Sequence, residues 1–99
     1  MAQISKRFIQ KEVEDRIMDL FWDGLSGLPT KQKVALFLDD LLTPTEKLML
    51  AKRFSIAFML LKGYDYHTIN QVLKVSNPTI WSVKLGLHYK GKGYQGVID

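Results

Sequence analysis

The sequence predicts a small all-α fold organised as one domain, residues 1–99. Three observations support this prediction: apolar residues recur at helical spacing, capping residues mark the helix starts, and no segment alternates apolar and polar residues over the length of a strand. A chain of 99 residues has room for one modest core. Pairing with a second copy would therefore help to stabilise the fold.

Two amphipathic helices are predicted in residues 1–42, which we interpret as a dimerisation region. The first helix runs from about Ser5 to Trp22 and is ended by Gly24, Ser26 and Gly27. The second begins near Thr30, a good N-cap residue. The apolar positions that define the two faces are Ile4, Phe8, Val13, Ile17, Leu20 and Phe21, then Val34, Phe37, Leu38 and Leu41.

A central helix is predicted over residues 43–63. It starts at Thr43-Pro44-Thr45-Glu46, where Thr43 can cap, Pro44 suits the first turn and Glu46 completes a capping box. Gly63 is the predicted stop. Apolar residues cover most of its circumference, so nearly all of it must be buried. This favours an interlocked homodimer; the alternative is the central helix of a monomeric bundle.

Residues 64–88 have the apolar pattern of a helix-turn-helix. Ile69 and Leu73 face inward from its first helix, Val75 fills the turn and Ile80 packs the second helix back. Ser76 is the predicted N-cap of the second helix. Lys74 stands in the turn, where glycine is common, at a cost of roughly 1 kcal/mol if its backbone is left-handed.

Residues 89–99 are interpreted as a tail, because they contain the three glycines Gly91, Gly93 and Gly96. The apolar residues Tyr94 and Val97 are the positions through which this tail would dock.

The net charge is +4 and is unevenly distributed. Residues 1–61 carry nine Lys and Arg against eight Asp and Glu, whereas residues 62–99 carry five lysines against two acids. A local excess of cations is typical of proteins that bind a polyanion, and charge alone is equally compatible with a solvated surface.

Several functional classes are disfavoured by composition. The chain has no cysteine, which excludes disulfides, thiolate zinc sites and a cysteine nucleophile and fits a cytoplasmic location. His67 and His88 lie on different predicted helices with few acids nearby, so no metal site is expected. No nucleophile elbow, phosphate loop or membrane span is present, and we expect neither an enzyme, a cofactor nor a membrane partner.

Four segments together resemble the Trp repressor superfamily: Leu42 to Glu46, Ala51-Lys52-Arg53, Leu60 to Gly63, and Thr79-Ile80. Tyr89, Gly93 and Tyr94 make the chain more similar to the YerC/YecD branch, and the resemblance covers about residues 41–94. It implies an interlocked all-helical dimer that regulates transcription by binding double-stranded DNA.

The resemblance places the DNA-facing positions on both helices of the helix-turn-helix. His67 and Asn70 fall on the first helix, and Asn77, Pro78 and Trp81 on the second. Trp81 would either stack on DNA sugar or belong to the core. The remaining predicted DNA-binding residues are Lys74, Ser76, Thr79 and Lys84, and the lysines considered for phosphate contacts are Lys62, Lys74, Lys84, Lys90 and Lys92.

The family's tryptophan pocket is matched incompletely. Thr43, Arg53 and Thr79 match lining positions, but Ser82 replaces an arginine, Val83 a glycine and Gly86 a serine. Losing the arginine removes a charge-assisted bond to a carboxylate. We therefore predict no L-tryptophan corepressor, a vestigial pocket at Thr43, Arg53, Ser82 and Val83, and an ion pair of Arg53 with Asp39, Asp40 or Glu46. The sequence identifies no effector.

Two functions remain open at this point. The favoured one is a sequence-specific DNA-binding regulator. The alternative is a dimeric protein-interaction or adaptor module that has kept the fold and lost specific DNA binding, as the departures at Asn70, Lys74, Trp81 and Ser82 suggest.

Overall fold

The computed structural model describes residues 9–98, and this part of the chain is all-helical, with six helices and no strand. It divides into two compact units, Met1–Lys47 and Leu48–Asp99. The third helix begins in the first unit and continues into the second. The all-α prediction is confirmed.

The first helix, α1, spans Lys11–Ser26, which differs from the prediction at both ends. It starts at Lys11 because Gln10 has an extended backbone; the predicted start at Ser5 lies outside the described residues. It also continues through Gly24 to Ser26, whose hydroxyl donates to the Asp23 carbonyl at 3.2 Å. One glycine inside a helix costs only about 1 kcal/mol, so Gly24 does not end it.

The second and third helices start where the sequence predicts. Helix α2, Lys31–Leu41, is capped by Thr30, whose side chain accepts from the Lys33 amide at 3.1 Å. Helix α3 spans Pro44–Leu61. Its capping box is complete, since the Thr43 amide donates to Glu46 Oε1 at 2.9 Å and the Glu46 amide donates to Thr43 Oγ1 at 3.1 Å.

Helix α3 ends at Leu61, just before the predicted stop residue Gly63. Gly63 has φ +89°, and two backbone bonds close the end: Gly63 N to Leu60 O at 3.1 Å and Tyr64 N to Met59 O at 3.0 Å. This pair of bonds defines a Schellman motif, which favours glycine at the left-handed position.

The second unit holds the buried core. Helices α4 (Tyr66–Leu73), α5 (Asn77–Tyr89) and α6 (Lys92–Ile98) follow α3. The core cluster consists of Ile56, Ala57, Ile69, Ile80 and Val83. Val75, in the turn between α4 and α5, and Leu73 pack against it, as the helix-turn-helix pattern predicts.

The predicted tail contains a helix. Residues 92–98 form α6, and Tyr94 and Ile98 pack against the core cluster, whereas Val97 is 73% exposed. Docking through Tyr94 is therefore confirmed, and Ile98 rather than Val97 is the second apolar contact.

Much apolar surface of α1, α2 and α3 is exposed in the single chain. Neither α1 nor α2 contains a buried residue, and α3 buries only Ile56 and Ala57. The large exposed side chains of these helices include Val13, Ile17, Leu20, Leu36, Leu48, Met49 and Phe58. The nearly complete burial expected for α3 is thus not achieved within one chain.

Candidate nucleic-acid interface

Helices α4 and α5 form the predicted helix-turn-helix, joined by Lys74-Val75-Ser76. Ile69 of α4 and Ile80 of α5 are both fully buried, and these two residues hold the helices together. Helix α4 is capped by Asp65, which accepts from the Thr68 amide at 2.8 Å. That bond lowers the pKa of Asp65 below its ordinary value, because it stabilises the carboxylate form.

The turn has a left-handed lysine, as the sequence predicts. Lys74 has φ 56° and ψ 50°, and its amide donates to the Asn70 carbonyl at 2.9 Å. The half-buried Asn70 side chain also supports the turn, since its Nδ2 donates to the Val75 carbonyl at 2.6 Å. The amide nitrogen of this predicted DNA-facing residue is therefore used inside the motif.

The N-terminus of α5 is exposed and capped by a side chain. Ser76 Oγ accepts from the Thr79 amide at 3.4 Å and lies 2.9 Å from Thr79 Oγ1. Asn77 and Pro78 follow in the first turn, and both are exposed. Free amide groups and the positive end of the helix dipole make such a terminus favourable for phosphate.

Trp81 lies at the surface of α5. Its side chain is 51% exposed, whereas its neighbour Ile80 is fully buried and Val83 is 8% exposed. Of the two positions considered for Trp81, the single chain therefore has the surface one. The indole faces away from the core cluster that Ile80 and Val83 help to form.

The charge of this unit is strongly positive. Among residues 48–98, Asp65 is the one acid, against seven lysines and arginines. The ammonium of Lys84 lies 5.7 Å from the centre of the Tyr66 ring, which places it beside α4. Lys74 and Lys84 are exposed, as are His67, Ser76 and Thr79, so eight of the nine predicted DNA-binding residues are accessible and Asn70 is half-buried.

A groove of about 1050 Å³ lies beside the helix-turn-helix. Helix α3 contributes Arg53 and Phe54, and α5 contributes Pro78, Thr79, Ser82, Val83 and Gly86. The third wall is the segment after α5, with Lys90, Gly91, Gly93, Tyr94 and Val97. The groove is mainly apolar at Phe54, Val83 and Tyr94, with the cationic side chains of Arg53 and Lys90 among its lining residues.

The groove brings together three of the four residues assigned to a vestigial effector pocket: Arg53, Ser82 and Val83. Thr43 belongs to the first unit, where its hydroxyl caps α3. In that unit Asp39 pairs with Lys47, and Glu46 accepts from the Thr43 amide, which lowers the Glu46 pKa. The ion pair predicted for Arg53 stays a prediction.

The wall after α5 was missed as part of this site. Lys90, Gly91 and Gly93 line the groove, although the sequence suggested only a phosphate contact or a loose tail for them. Tyr94 was the sequence feature that could have indicated this wall, because it is an apolar residue five positions after the end of α5. No group of metal-binding side chains occurs among residues 9–98, nor is any helix of this range long and apolar enough to cross a membrane.

Comparison with known proteins gives one consistent result. The family model described as Trp repressor protein matches residues 16–99. The Bacillus subtilis (strain 168) protein YerC, described as uncharacterized, is 33% identical over 82 residues, which cover 83% of this chain and 79% of YerC. A crystal structure from Staphylococcus aureus, described as a candidate Trp repressor, superposes with a TM-score of 0.80 at 30% identity, covering 91% of this chain and 93% of the other.

Proposed function

Because the chain belongs to the Trp repressor family, we propose that it is a transcriptional regulator that binds double-stranded DNA through α4 and α5. The family suggests a DNA-binding regulator in general terms. The finer proposal is sequence-specific binding, with α5 as the recognition helix that enters the major groove.

The observation that carries this proposal is the exposed, capped N-terminus of α5 on a basic unit. A helix held on a buried Ile69–Ile80 contact presents Asn77, Pro78 and Trp81 outward. Such a terminus can reach base edges while lysines neutralise phosphates. A protein-interaction surface would not require seven cations against one acid in residues 48–98.

Each exposed residue has a distinct proposed role. Asn77 can hydrogen-bond a base edge, adenine by preference, and Pro78 can pack on a thymine methyl group. Trp81 supplies an apolar contact to sugar or base. Lys74 and Lys84 neutralise phosphates, which sets affinity and register without reading the sequence.

We also propose an interlocked homodimer. Leu20 is 73% exposed, Leu36 63% and Met49 57%, on helices that bury almost nothing within one chain. Monomeric proteins rarely leave such continuous apolar helix faces in water. A second copy would cover them, and the two recognition helices would then lie roughly 34 Å apart on a palindromic site. Light scattering that reports a monomer at micromolar concentration would contradict this.

We propose that DNA binding is independent of L-tryptophan. The groove is lined by the cationic residues Arg53 and Lys90, but Ser82 stands where the family has a second arginine, and Val83, where the family has a glycine, belongs to the packed core. A ligand carboxylate would therefore lose the charge-assisted bond that this arginine provides. Calorimetric titration with L-tryptophan should give no micromolar binding, and DNA affinity should be the same with and without it.

The test is a selection experiment followed by salt titration. Purified protein is incubated with sheared genomic DNA of the source organism, and the retained fragments are sequenced. A short palindrome should be enriched, and its affinity should fall steeply with salt because counterions are released. Lys74→Glu and Lys84→Glu should weaken binding.

The matched control is Lys33→Glu in the first turn of α2. It changes the net charge equally, and a carboxylate is favourable at that helix end. It should bind DNA as the parent does. If Lys74→Glu and Lys84→Glu also bind as the parent does, the interface is elsewhere. If the parent retains no DNA at low salt, the adaptor function replaces this proposal.

A further inference from the structure

The turn between α5 and α6 can be made by only a glycine. The Gly91 amide donates to the Leu87 carbonyl at 3.3 Å, and its own carbonyl accepts from the Gln95 amide at 3.0 Å. A Cβ at this buried position would lie 2.7 Å from the Leu87 carbonyl oxygen and 3.1 Å from the Leu87 Cα. Both atoms belong to the backbone and cannot move aside cheaply. At Gly93 and Gly96, in contrast, an added Cβ would meet only open space.

The close turn directs α6 back onto the unit from which it emerges. Tyr94 and Ile98 pack against the core cluster. The Tyr94 ring centre lies 6.3 Å from that of Phe54 on α3, with the rings tilted by 35°. This spacing is within the range in which aromatic rings attract each other. Helix α6 therefore joins α3 to the end of α5.

The elements joined by α6 are the same ones that form the other walls of the groove. Arg53 and Phe54 come from α3, and Thr79 and Ser82 from the N-terminal half of α5. A small molecule bound in this groove could influence DNA binding by fixing α5 relative to α3. Tyr94 belongs to the same chain, and its contact with Phe54 already links the segment after α5 to α3.

We infer that α6 is an intramolecular brace that holds the recognition helix in its DNA-binding orientation from one wall of the groove. This inference rests on the proposed DNA-binding function. It gives a physical reason for DNA binding without an effector: α6, which belongs to the same chain, fixes α5 relative to α3. Releasing α6 lowers the fraction of molecules with α5 correctly placed, and the apparent affinity falls by that fraction.

The test uses four substitutions in the full chain, two that release α6 and two matched controls. Tyr94→Ala removes the contact with Phe54 and changes no charge. Gly91→Ala forces the turn open without removing any side chain of α6. Tyr94→Phe keeps the ring and should behave as the parent does. Gly96→Ala is the matched control for Gly91→Ala, because its added methyl group meets nothing.

Two measurements are made on each variant. Hydrogen exchange in the free protein should be faster at residues 77–89 in Tyr94→Ala and Gly91→Ala, with unchanged exchange at the buried core residues Ile56 and Ile69 showing that this unit is folded. The dissociation constant for the selected DNA should rise about tenfold if the competent fraction falls to about a tenth. Tyr94→Phe and Gly96→Ala should match the parent in both measurements.

The two measurements, hydrogen exchange and DNA affinity, distinguish a failure of the brace from a failure of the proposed DNA-binding function. If α5 exchanges as in the parent in both Tyr94→Ala and Gly91→Ala, α6 is not a brace. If α5 exchange rises but DNA affinity is unchanged, α6 holds α5 without controlling DNA binding, and the inferred effect on affinity is refuted. If the parent binds no DNA while exchange in α5 still rises, the proposed function fails and the brace stands.

Discussion

Replacing Lys74 by glycine should raise the stability of the protein and lower its DNA affinity at the same time. Lys74 adopts φ 56° and ψ 50° in the turn of the helix-turn-helix. A left-handed backbone costs a residue with a side chain about 1–2 kcal/mol. Lys74→Gly relieves this cost, but glycine loses about 0.5–1 kcal/mol more chain entropy on folding. The net gain should be about 0.5–1 kcal/mol in the free energy of unfolding.

The stability arm is measured by thermal unfolding at one fixed protein concentration, since a dimer's midpoint depends on concentration. A gain of this size corresponds to a rise of roughly 2–8 °C for a domain of this length. Lys74→Ala is the control, because it removes the same charge and keeps a Cβ in the left-handed conformation. Its midpoint should not rise.

The binding arm uses DNA affinity over a range of salt concentrations. Both Lys74→Gly and Lys74→Ala should bind more weakly, with the slope of log affinity against log salt reduced by about 1, as expected for one lost phosphate contact. Lys74→Arg should bind as the parent does. If Lys74→Gly is no more stable than Lys74→Ala, the strain argument is refuted. If both retain the parent's salt slope, Lys74 does not contact phosphate.

Three further outcomes are expected. Asn70→Ala should lower the free energy of unfolding by about 1 kcal/mol, measured by urea denaturation, because the Val75 carbonyl loses its 2.6 Å donor; an unchanged midpoint would contradict the role of that bond. Ile80→Ala should lower the free energy of unfolding by about 2–5 kcal/mol, because the Ile80 side chain is fully buried. Trp81→Ala should lower it far less, because the Trp81 side chain is 51% exposed. Equal losses in the two variants would contradict the assignment of Ile80 to the core face and Trp81 to the surface. The folded-state pKa of Asp65 is lowered, so its capping contribution is present above the ordinary carboxylate pKa and is lost as pH falls through the lowered value. Asp65→Asn should abolish this part of the acid dependence of stability, and an identical pH profile would show that Asp65 does not contribute to it.

Local signals in the sequence predicted the helices and their caps well. Thr30, Thr43, Ser76 and Gly63 each mark a helix end that the structure contains. Such ends depend on neighbours within four residues, so the sequence holds all the necessary information. The left-handed Lys74 was predictable for the same reason. The start of α1 was not, because Gln10 makes no side-chain capping bond.

The sequence by itself determined the order of α1 to α5, the helix-turn-helix and the basic character of the C-terminal part of the chain, since periodicity, capping and charge are local properties of the chain. The tertiary structure decided what Asn70 donates to, that Trp81 lies at the surface, and that Tyr94 meets Phe54 in the wall of a groove. Phe54 and Tyr94 are forty positions apart. Their contact depends on the path of α4, α5 and the Gly91 turn between them, and such long-range geometry arises only when the core has packed.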